Sequence, residues 1–227
     1  FTTTTDRYGW VKGTNNSWNY TLFVEHGRVK DTKEVKMKTA LREIAQVHKG
    51  DFRLTGNQNV IIGGVSEHGK KKITDILDKH KVDSKNNFTP LRLSSLACVA
   101  LNTCTLAHAQ AETYLPSLVD KMEKLMEKHG LSEQAITTRM TGCPNGCARP
   151  YNAEIGMVGK APGVYNLYLG GSHIGKRLNV LYKEMLKEDD ILSELDSVFG
   201  QYSKERNKGE YFGDFVIRKG IVFISEF

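Results

Sequence analysis

The sequence has no long apolar run, no leader pattern and little cysteine, and each absence narrows the possible functions. No stretch of its 227 residues approaches the roughly 20 consecutive apolar residues of a membrane-spanning helix, so we expect no membrane partner. No charged segment followed by an apolar one opens the chain, and we therefore expect a cytoplasmic protein. Hydrophobic residues make up 39% and charged residues 26%, which is ordinary for a globular protein.

The basic excess is not arranged as a nucleic-acid-binding motif. The formal charge of +6 favours a polyanionic partner, such as nucleic acid, an acidic protein or a carboxylate-rich cofactor, unless it is only a solvated basic surface. The densest basic run, GKKK at residues 69–72, lacks the interleaved aromatic residues of a nucleic-acid module. We therefore expect no nucleic-acid partner.

Residues 1–82 alternate between strand-like and helix-like patterns and form the first expected domain. Alternate positions from Trp18 to Val24 are apolar, which is typical of a half-buried strand. Residues 38–50 follow helical spacing, residues 51–65 indicate two strands around a polar interruption, and residues 71–82 indicate a second helix. This order predicts a small α/β sandwich.

A polar joint at residues 83–90 predicts a linker, and residues 91–227 form the second expected domain. An apolar stripe from Leu115 to Met126 predicts a long helix, with a break or a new helix start at Pro116 and a C-terminal cap at Gly130. The later patterns predict strands at 154–159 and 164–171, helices around Leu178–Leu186 and Ile191–Tyr202, and a closing strand near Phe215–Phe223.

All four cysteines fall in the second expected domain, and they form two pairs. Five residues separate Cys98 from Cys104, and three separate Cys143 from Cys147. Two pairs suit a site with four ligands: a 4Fe–4S cluster, or zinc, for which the five-residue gap is unusual. Two disulfides or plain packing of inert thiols are the remaining alternatives.

The segment between the second pair of cysteines favours a large inorganic ligand at least as well as a lone zinc ion. Gly142 and Gly146 permit close backbone approach and positive φ, and Pro144 stiffens the turn. Asn145 can supply side-chain hydrogen bonds. Clusters need such donors aimed at sulfur, because these bonds help to set the reduction potential.

A near match to a phosphate-binding loop offers a different interpretation. GGSHIGKR places Gly170, Gly175 and Lys176 as in a P-loop, but Arg177 replaces the hydroxyl residue that would bind magnesium. A nucleotide site would leave all four cysteines unexplained. We therefore expect a glycine-rich loop here that does not bind a nucleotide.

Two stretches together carry a family resemblance, namely ACVALNTCTLAHAQAE and RMTGCPNGCARP. They resemble the siroheme and 4Fe–4S signature of the sulfite and nitrite reductases, and both cysteine gaps match that family. MVGKAPGVYNLYLGGSHIGKRL and KERNKGEYFGDFVIRKG resemble the end of its assimilatory, NADPH-linked sulfite reductases, while GWVKGTNNSWNYTLFVEHGRV and IAQVHKGDFRLTGNQNVIIGGV resemble the preceding half-domain. The resemblance implies an α+β fold: a ferredoxin-like half-domain followed by a mixed α/β domain that binds siroheme and a 4Fe–4S cluster.

By this resemblance Cys98, Cys104, Cys143 and Cys147 ligate the cluster, and Cys147 also bridges it to the siroheme iron. The implied activity is the six-electron reduction of sulfite to sulfide for cysteine and methionine biosynthesis. The implied partners are an NADPH-dependent flavoprotein carrying FAD and FMN, and the N-terminal half of the same hemoprotein.

The resemblance covers only the second half of the family's enzyme, and it places the arginines and lysines that bind substrate in the other half. No catalytic residue is therefore assigned, and the chain alone is expected to be inactive. Candidate siroheme contacts are Asn145, Arg149 and the polar interruption Asn57, Gln58 and Asn59, for which an ordinary loop is the alternative. The competing functions are a zinc-stabilised basic binding module and the equivalent half of a nitrite reductase.

Overall fold

The structure, a computed structural model, describes residues 3–224 and divides the chain into two compact units. The first unit is Thr5–Phe88, and the second contains residues 89–224 together with residues 3 and 4. Residues 83–88, which the sequence analysis assigns to a linker, lie inside the first unit. The Tyr20 hydroxyl donates to the Ser84 carbonyl at 2.7 Å, and the Asn86 side chain accepts from the Phe23 amide at 2.9 Å.

The first unit is a four-stranded antiparallel sheet with two helices. Its elements are β1 (Gly9–Lys12), β2 (Trp18–Leu22), α1 (Met37–Val47), β3 (Asp51–Leu54), β4 (Val60–Val65) and α2 (Glu67–Lys79). The strand order is β1-β2-β4-β3, so that β3 lies at an edge and all four of its residues are exposed.

The alternation predicted for the first unit is confirmed by its core. Tyr20, Leu22 and Val24 pack in one apolar cluster with Ile44 of α1 and Ile73 of α2. One detail differs: α1 ends at Val47, three residues before the end of the predicted range 38–50, and its buried face consists of Ala40 and Ile44.

The second unit is a five-stranded mixed sheet packed against helices. Its elements are α3 (Pro90–Leu93), β5 (Ser95–Ala97), α4 (Leu115–Lys128), β6 (Thr138–Thr141), β7 (Ile155–Ala161), β8 (Val164–Leu169), β9 (Val180–Leu186), α5 (Glu188–Glu205) and α6 (Phe212–Arg218). The strands are ordered β5-β6-β7-β8-β9. The first three strands run parallel and the last three antiparallel, so β7 belongs to both parts.

Helix α4 confirms the predicted apolar stripe. Leu115, Leu118, Val119, Met122 and Met126 are buried in the core of the second unit. Pro116 stands in the first turn, where its missing N–H costs nothing, and Gly130 follows the helix at φ +65°.

Two predicted elements of the second unit are wrong. Residues 178–186 do not form a helix, because β9 pairs antiparallel with β8 and a strand edge overrides the helical propensity of Leu, Lys, Glu and Met. Residues 215–223 do not form a strand. Phe212, Phe215 and Val216 instead bury one face of α6, at helical spacing.

The structure contradicts the phosphate-loop interpretation. Residues 170–176 follow β8, but the next element is the strand β9, whereas a P-loop must open a helix. Among the described residues, no helix combines the length and apolarity required to cross a membrane.

Candidate functional site

Two parallel strands bring the two cysteine pairs to one edge of the second sheet. Ala97 of β5 pairs with Met140 of β6, and Cys98 follows directly, with its amide donating to the Met140 carbonyl at 3.1 Å. Cys143 follows β6 after Gly142. Because carboxyl ends of parallel strands meet at the same sheet edge, cysteines that lie 45 positions apart in the chain become neighbours in space.

The segment that carries Cys104 folds back onto the turn that carries Cys143. The amides of His108 and Ala109 both donate to the Gly142 carbonyl, at 2.8 and 3.1 Å. The Cys104 amide donates to the Ala100 carbonyl at 2.7 Å, which closes a tight turn inside the five-residue gap. The backbone therefore fixes the position of one cysteine loop against the other.

Glycine is required where these loops meet. A Cβ on Gly142 would lie 2.6 Å from both the Ala100 Cβ and the Ala109 carbonyl oxygen. A Cβ on Gly159 of β7 would lie 2.6 Å from the Gly142 carbonyl oxygen. Gly146 serves differently, since its φ of +69° provides the left-handed turn between the last two cysteines. Gly142 therefore allows the two cysteine loops to approach each other closely. Of Gly142 and Gly146, only Gly146 adopts a positive φ.

The four thiols differ in surroundings. The Cys98 Sγ accepts from the Gly142 amide at 3.3 Å and lies 3.4 Å from the Thr141 Oγ1. Cys143 is buried, Cys98 and Cys104 are half-buried, and Cys147 is exposed. All four are free, so the disulfide interpretation has no support in this geometry.

The donor set is compatible with a cubane cluster, which takes four thiolates. Zinc needs four ligands that converge on one point at about 2.3 Å, and within residues 3–224 no three His, Cys, Asp or Glu side chains converge in this way. Each thiolate of a 4Fe–4S cluster instead bonds a different iron, so its ligands stand farther apart. Four free thiols on two interlocked loops, with the Gly142 N–H directed at the Cys98 sulfur, would supply the four thiolates of such a cluster.

A buried cation that the sequence patterns did not predict lies beside the cysteines. Arg139 of β6 is 5% exposed, and burial, with a contribution from Arg149, lowers its pKa to about 10. Among the described residues its guanidinium makes one long hydrogen bond, 3.5 Å from Nη1 to the Arg149 carbonyl oxygen, and it pairs with no carboxylate. The signal in the sequence is weak: Arg139 stands four positions before Cys143, in a strand whose one apolar residue is Met140. A buried unpaired charge is costly, which marks this position as one that suits an anionic ligand.

The other candidates in the second unit lie on the surface of the same turn. Asn145 and Arg149 are exposed, and Arg149 takes a left-handed conformation at φ +55°. The Arg149 amide donates to the Gly146 carbonyl at 2.7 Å, so the backbone after Cys147 is held close to the turn.

The polar interruption of the first unit is the hairpin turn between β3 and β4. Asn59 is 1% exposed, and its amide is occupied within the unit: Oδ1 accepts from the Val24 amide at 2.9 Å, and Nδ2 donates to Asp6 at 2.8 Å. Asn57 also donates to Asp6, at 3.2 Å, and Gln58 occupies the left-handed position at φ +66°. Asn59 thus holds the turn in place, while Asn57 and Gln58 are half-buried at its tip.

The chain is similar in sequence to reductases of sulfite. Residues 12–80 match the family model described as the nitrite/sulfite reductase ferredoxin-like half domain. The chain is 58% identical over 217 residues to the sulfite reductase [NADPH] hemoprotein beta-component of Staphylococcus epidermidis, and 55% identical to that of Bacillus velezensis. Each match covers 96% of this chain but 38% of the relative, so the chain spans less than half the length of the curated relatives it matches.

Solved structures show the same fold. The Mycobacterium tuberculosis NirA protein matches 94% of this chain and 40% of its own, with a TM-score of 0.76 at 24% identity. Dissimilatory sulfite reductase I matches 89% of this chain with a TM-score of 0.60 at 10% identity. The mixed α/β architecture with two sheets and the ferredoxin-like first unit confirm the predicted fold class.

Proposed function

We propose that this chain is the C-terminal part of an assimilatory sulfite reductase hemoprotein, and that it binds a 4Fe–4S cluster and siroheme. The proposal rests chiefly on one observation: four free cysteines lie on two loops that are interlocked at the carboxyl ends of β5 and β6. The names and the 55–58% identity of the relatives support the same function.

Each cysteine has a proposed role. Cys98, Cys104 and Cys143 would ligate the cluster, and Cys147 would ligate the cluster and also the siroheme iron. The exposure of Cys147 supports this division, because a thiolate shared by two centres must be open on its outer side. When bound, the two groups supply storage and relay of electrons, and the protein orients and tunes them.

Cations and amides beside the turn are proposed to hold the carboxylates of siroheme. Arg139 is buried without a carboxylate partner among the described residues, and Arg149 follows Cys147 by two positions on the same turn. Arginine suits this role because its planar guanidinium binds carboxylate in a bidentate manner. Asn145, and Asn57 and Gln58 in the first unit, are proposed as further polar contacts, whereas Asn59 positions its turn.

The activity we propose for the whole enzyme is the cytoplasmic six-electron reduction of sulfite to sulfide for cysteine and methionine biosynthesis. An NADPH-dependent flavoprotein with FAD and FMN would supply the electrons, and the N-terminal half of the hemoprotein would complete the substrate site. The chain alone is expected not to turn over sulfite with a dye donor. The equivalent half of a nitrite reductase is the second candidate, since the half-domain family covers both substrates.

Anaerobic purification with iron, acid-labile sulfide and zinc analysis tests the cofactor proposal. We expect about four acid-labile sulfides per chain and about five irons, four from the cluster and one from siroheme. A Cys104→Ser variant should lose the sulfide and the cluster iron, and a Thr105→Ser control in the same loop should retain them. Zinc at one per chain without sulfide would establish the binding-module alternative instead.

A second variant tests the bridge. With siroheme bound, Cys147→Ser should remove the magnetic coupling between heme and cluster that electron paramagnetic resonance detects. Unchanged coupling in this variant would rule out the bridging role.

A further inference from the structure

The loop between α5 and α6, residues 206–211, borders an open cavity in the second unit. The cavity has a volume of about 620 Å³, which lies within the usual range for small-molecule sites. Within residues 3–224 its lining consists of this loop and of Gln134 in the connection between α4 and β6. The cavity therefore shares no residue with the proposed cofactor site.

Arg206 brings a positive charge to this cavity without a counter-ion. It follows the last residue of α5, and its amide donates to the Tyr202 carbonyl at 3.2 Å. The side chain is half-buried, with the guanidinium carbon 5.0 Å from the centroid of the Tyr202 ring. Among the described residues Nη1 is buried without a hydrogen-bond partner, and no carboxylate forms an ion pair with the guanidinium. A half-buried cation without a counter-ion has lost hydration that an anionic ligand could replace.

The carboxylate that lines the cavity is already bound within the fold. Glu210 accepts two hydrogen bonds from Arg218, at 2.6 and 2.8 Å, and one from the Asn207 amide at 2.9 Å. Its side chain is only 11% exposed, so it presents little charge to a ligand. Lys208 is exposed and has no ion pair or side-chain hydrogen bond among the described residues. Because Arg218 compensates Glu210, the charges of Arg206 and Lys208 remain available to a ligand.

An aromatic ring and two carboxamides complete the lining. The Tyr211 ring stacks on His173, with 4.2 Å between the centroids and 5° between the planes. This stack covers one face of the ring, yet Tyr211 is 41% exposed, so a planar group can reach the ring from the other side. The side chains of Asn207 and Gln134 can donate and accept hydrogen bonds around such a group.

We propose that this cavity binds a small organic phosphate, namely a ligand in which a phosphate monoester is joined to a planar ring. A phosphate monoester carries a charge of about −2 above pH 7, which matches the two uncompensated cations, whereas a lone carboxylate matches only one. Arg206 would bind the phosphate oxygens through its planar guanidinium, and Lys208 would act as a point charge. The ring of the ligand would lie against Tyr211.

Phenyl phosphate combines the two groups and serves as the probe. Isothermal titration calorimetry at low salt and pH 8, where its phosphate is dianionic, should show saturable binding at one site per chain. Benzoate has the same ring with a single charge and should bind at least about fivefold more weakly.

A matched pair of double variants separates the cavity from net charge. Arg206→Gln/Lys208→Gln should weaken phenyl phosphate binding about tenfold, because it removes both charged hydrogen-bond donors. Arg42→Gln/Lys124→Gln removes the same two charges at exposed positions outside the cavity, and should change the affinity less than about twofold. Lys208→Gln alone changes one exposed side chain, cannot disturb the core, and should still weaken binding about threefold.

Three results would overturn the proposal: no saturable binding of phenyl phosphate, equal losses in the two double variants, or benzoate binding as tightly as phenyl phosphate. The last would assign the cavity to carboxylate ligands. None of these measurements depends on iron, sulfide or siroheme content, so a failure here is distinct from a failure of the proposed function.

Discussion

The two units of this chain separate surface charge from site chemistry. The first unit carries the whole formal charge of +6 and no cysteine, and its basic residues lie mainly on the surface. The second unit is neutral and contains all four cysteines. It also buries ionisable groups, among them Arg139, Glu154 and His173. Desolvated charge is thus concentrated in the unit for which we propose metal cofactors, and solvated charge in the other unit.

One arrangement of side chains, a Lys-His pair that binds a carboxylate at a helix C-terminus, nevertheless occurs in both units. Lys79 and His80 at the end of α2 hold Glu43, with His80 Nε2 at 2.7 Å. Lys128 and His129 at the end of α4 hold Asp196 in the same way, also with a histidine distance of 2.7 Å. Cations at a helix C-terminus complement the helix dipole, which explains why a Lys-His pair recurs there. The units therefore differ in buried charge and not in surface pairing.

Removing the buried charge of the second unit should have the largest effect on stability. The Glu154 carboxylate is fully buried and accepts from the Thr137 amide at 2.8 Å, the Gly213 amide at 3.0 Å and His173 Nδ1 at 2.9 Å. Glu154→Gln should lower the free energy of unfolding by about 3 kcal/mol, measured by urea titration with circular dichroism. Glu43→Gln in the first unit is the control at a half-buried surface ion pair, and a comparable loss there would break the contrast between the units.

The second largest effect on stability is expected from a substitution that disturbs packing at the cysteine turn. Gly142→Ala should cost about 2 kcal/mol, because the new methyl group would lie 2.6 Å from the Ala109 carbonyl oxygen, and it should also reduce iron retention. Gly56→Ala in the first unit meets no atom within 4 Å and should change stability by less than about 0.5 kcal/mol. If the two variants unfold at the same urea concentration, the turn is not tightly packed.

A smaller effect is expected at the sulfur itself. In a thiolate the Cys98 Sγ can only accept, so the Thr141 hydroxyl at 3.4 Å is its donor. Thr141→Val removes a bond of about 1 kcal/mol, which should lower the reduction potential of a bound cluster by about 40 mV in a redox titration. Thr141→Ser keeps the hydroxyl and should restore the potential; identical potentials in both variants would exclude this bond from tuning.

The pH dependence of the recurrent pairs should be the smallest effect and should be shared by both units. Hydrogen bonds from His80 and Lys79 lower the pKa of Glu43, and those from Lys128 and His129 lower the pKa of Asp196. A lowered carboxylate pKa stabilises the fold above the unfolded pKa near 4, and the contribution disappears as the pH falls through the folded pKa. We therefore expect that, as the pH falls from 6 to 3, the thermal unfolding temperature of Glu43→Gln and of Asp196→Asn decreases less than that of the parent protein. If one variant lost less stability than the parent and the other lost more, the two sites would not be equivalent.

Part of this protein was predictable because local spacing encodes it. Alternation from Trp18 to Val24 predicted a half-buried strand, and β2 occupies Trp18–Leu22 with Tyr20 and Leu22 in the core. The stripe from Leu115 to Met126 predicted a long helix, which α4 confirms. The grouping of four cysteines into two pairs is likewise a property of the sequence alone. These features need no knowledge of distant contacts, because a strand or helix face depends on residues a few positions apart.

Tertiary structure decided the rest. Residues 180–186 are a strand only because β8 offers them an edge, and Asn59 serves the fold only because Asp6 and Val24 lie against it. Arg139 became a candidate only when its burial and the absence of a carboxylate partner among residues 3–224 were known. The sequence by itself determined which residue types stand at which spacing. Pairing, desolvation and charge compensation depend on groups far apart in the chain, and only folding brings those groups together.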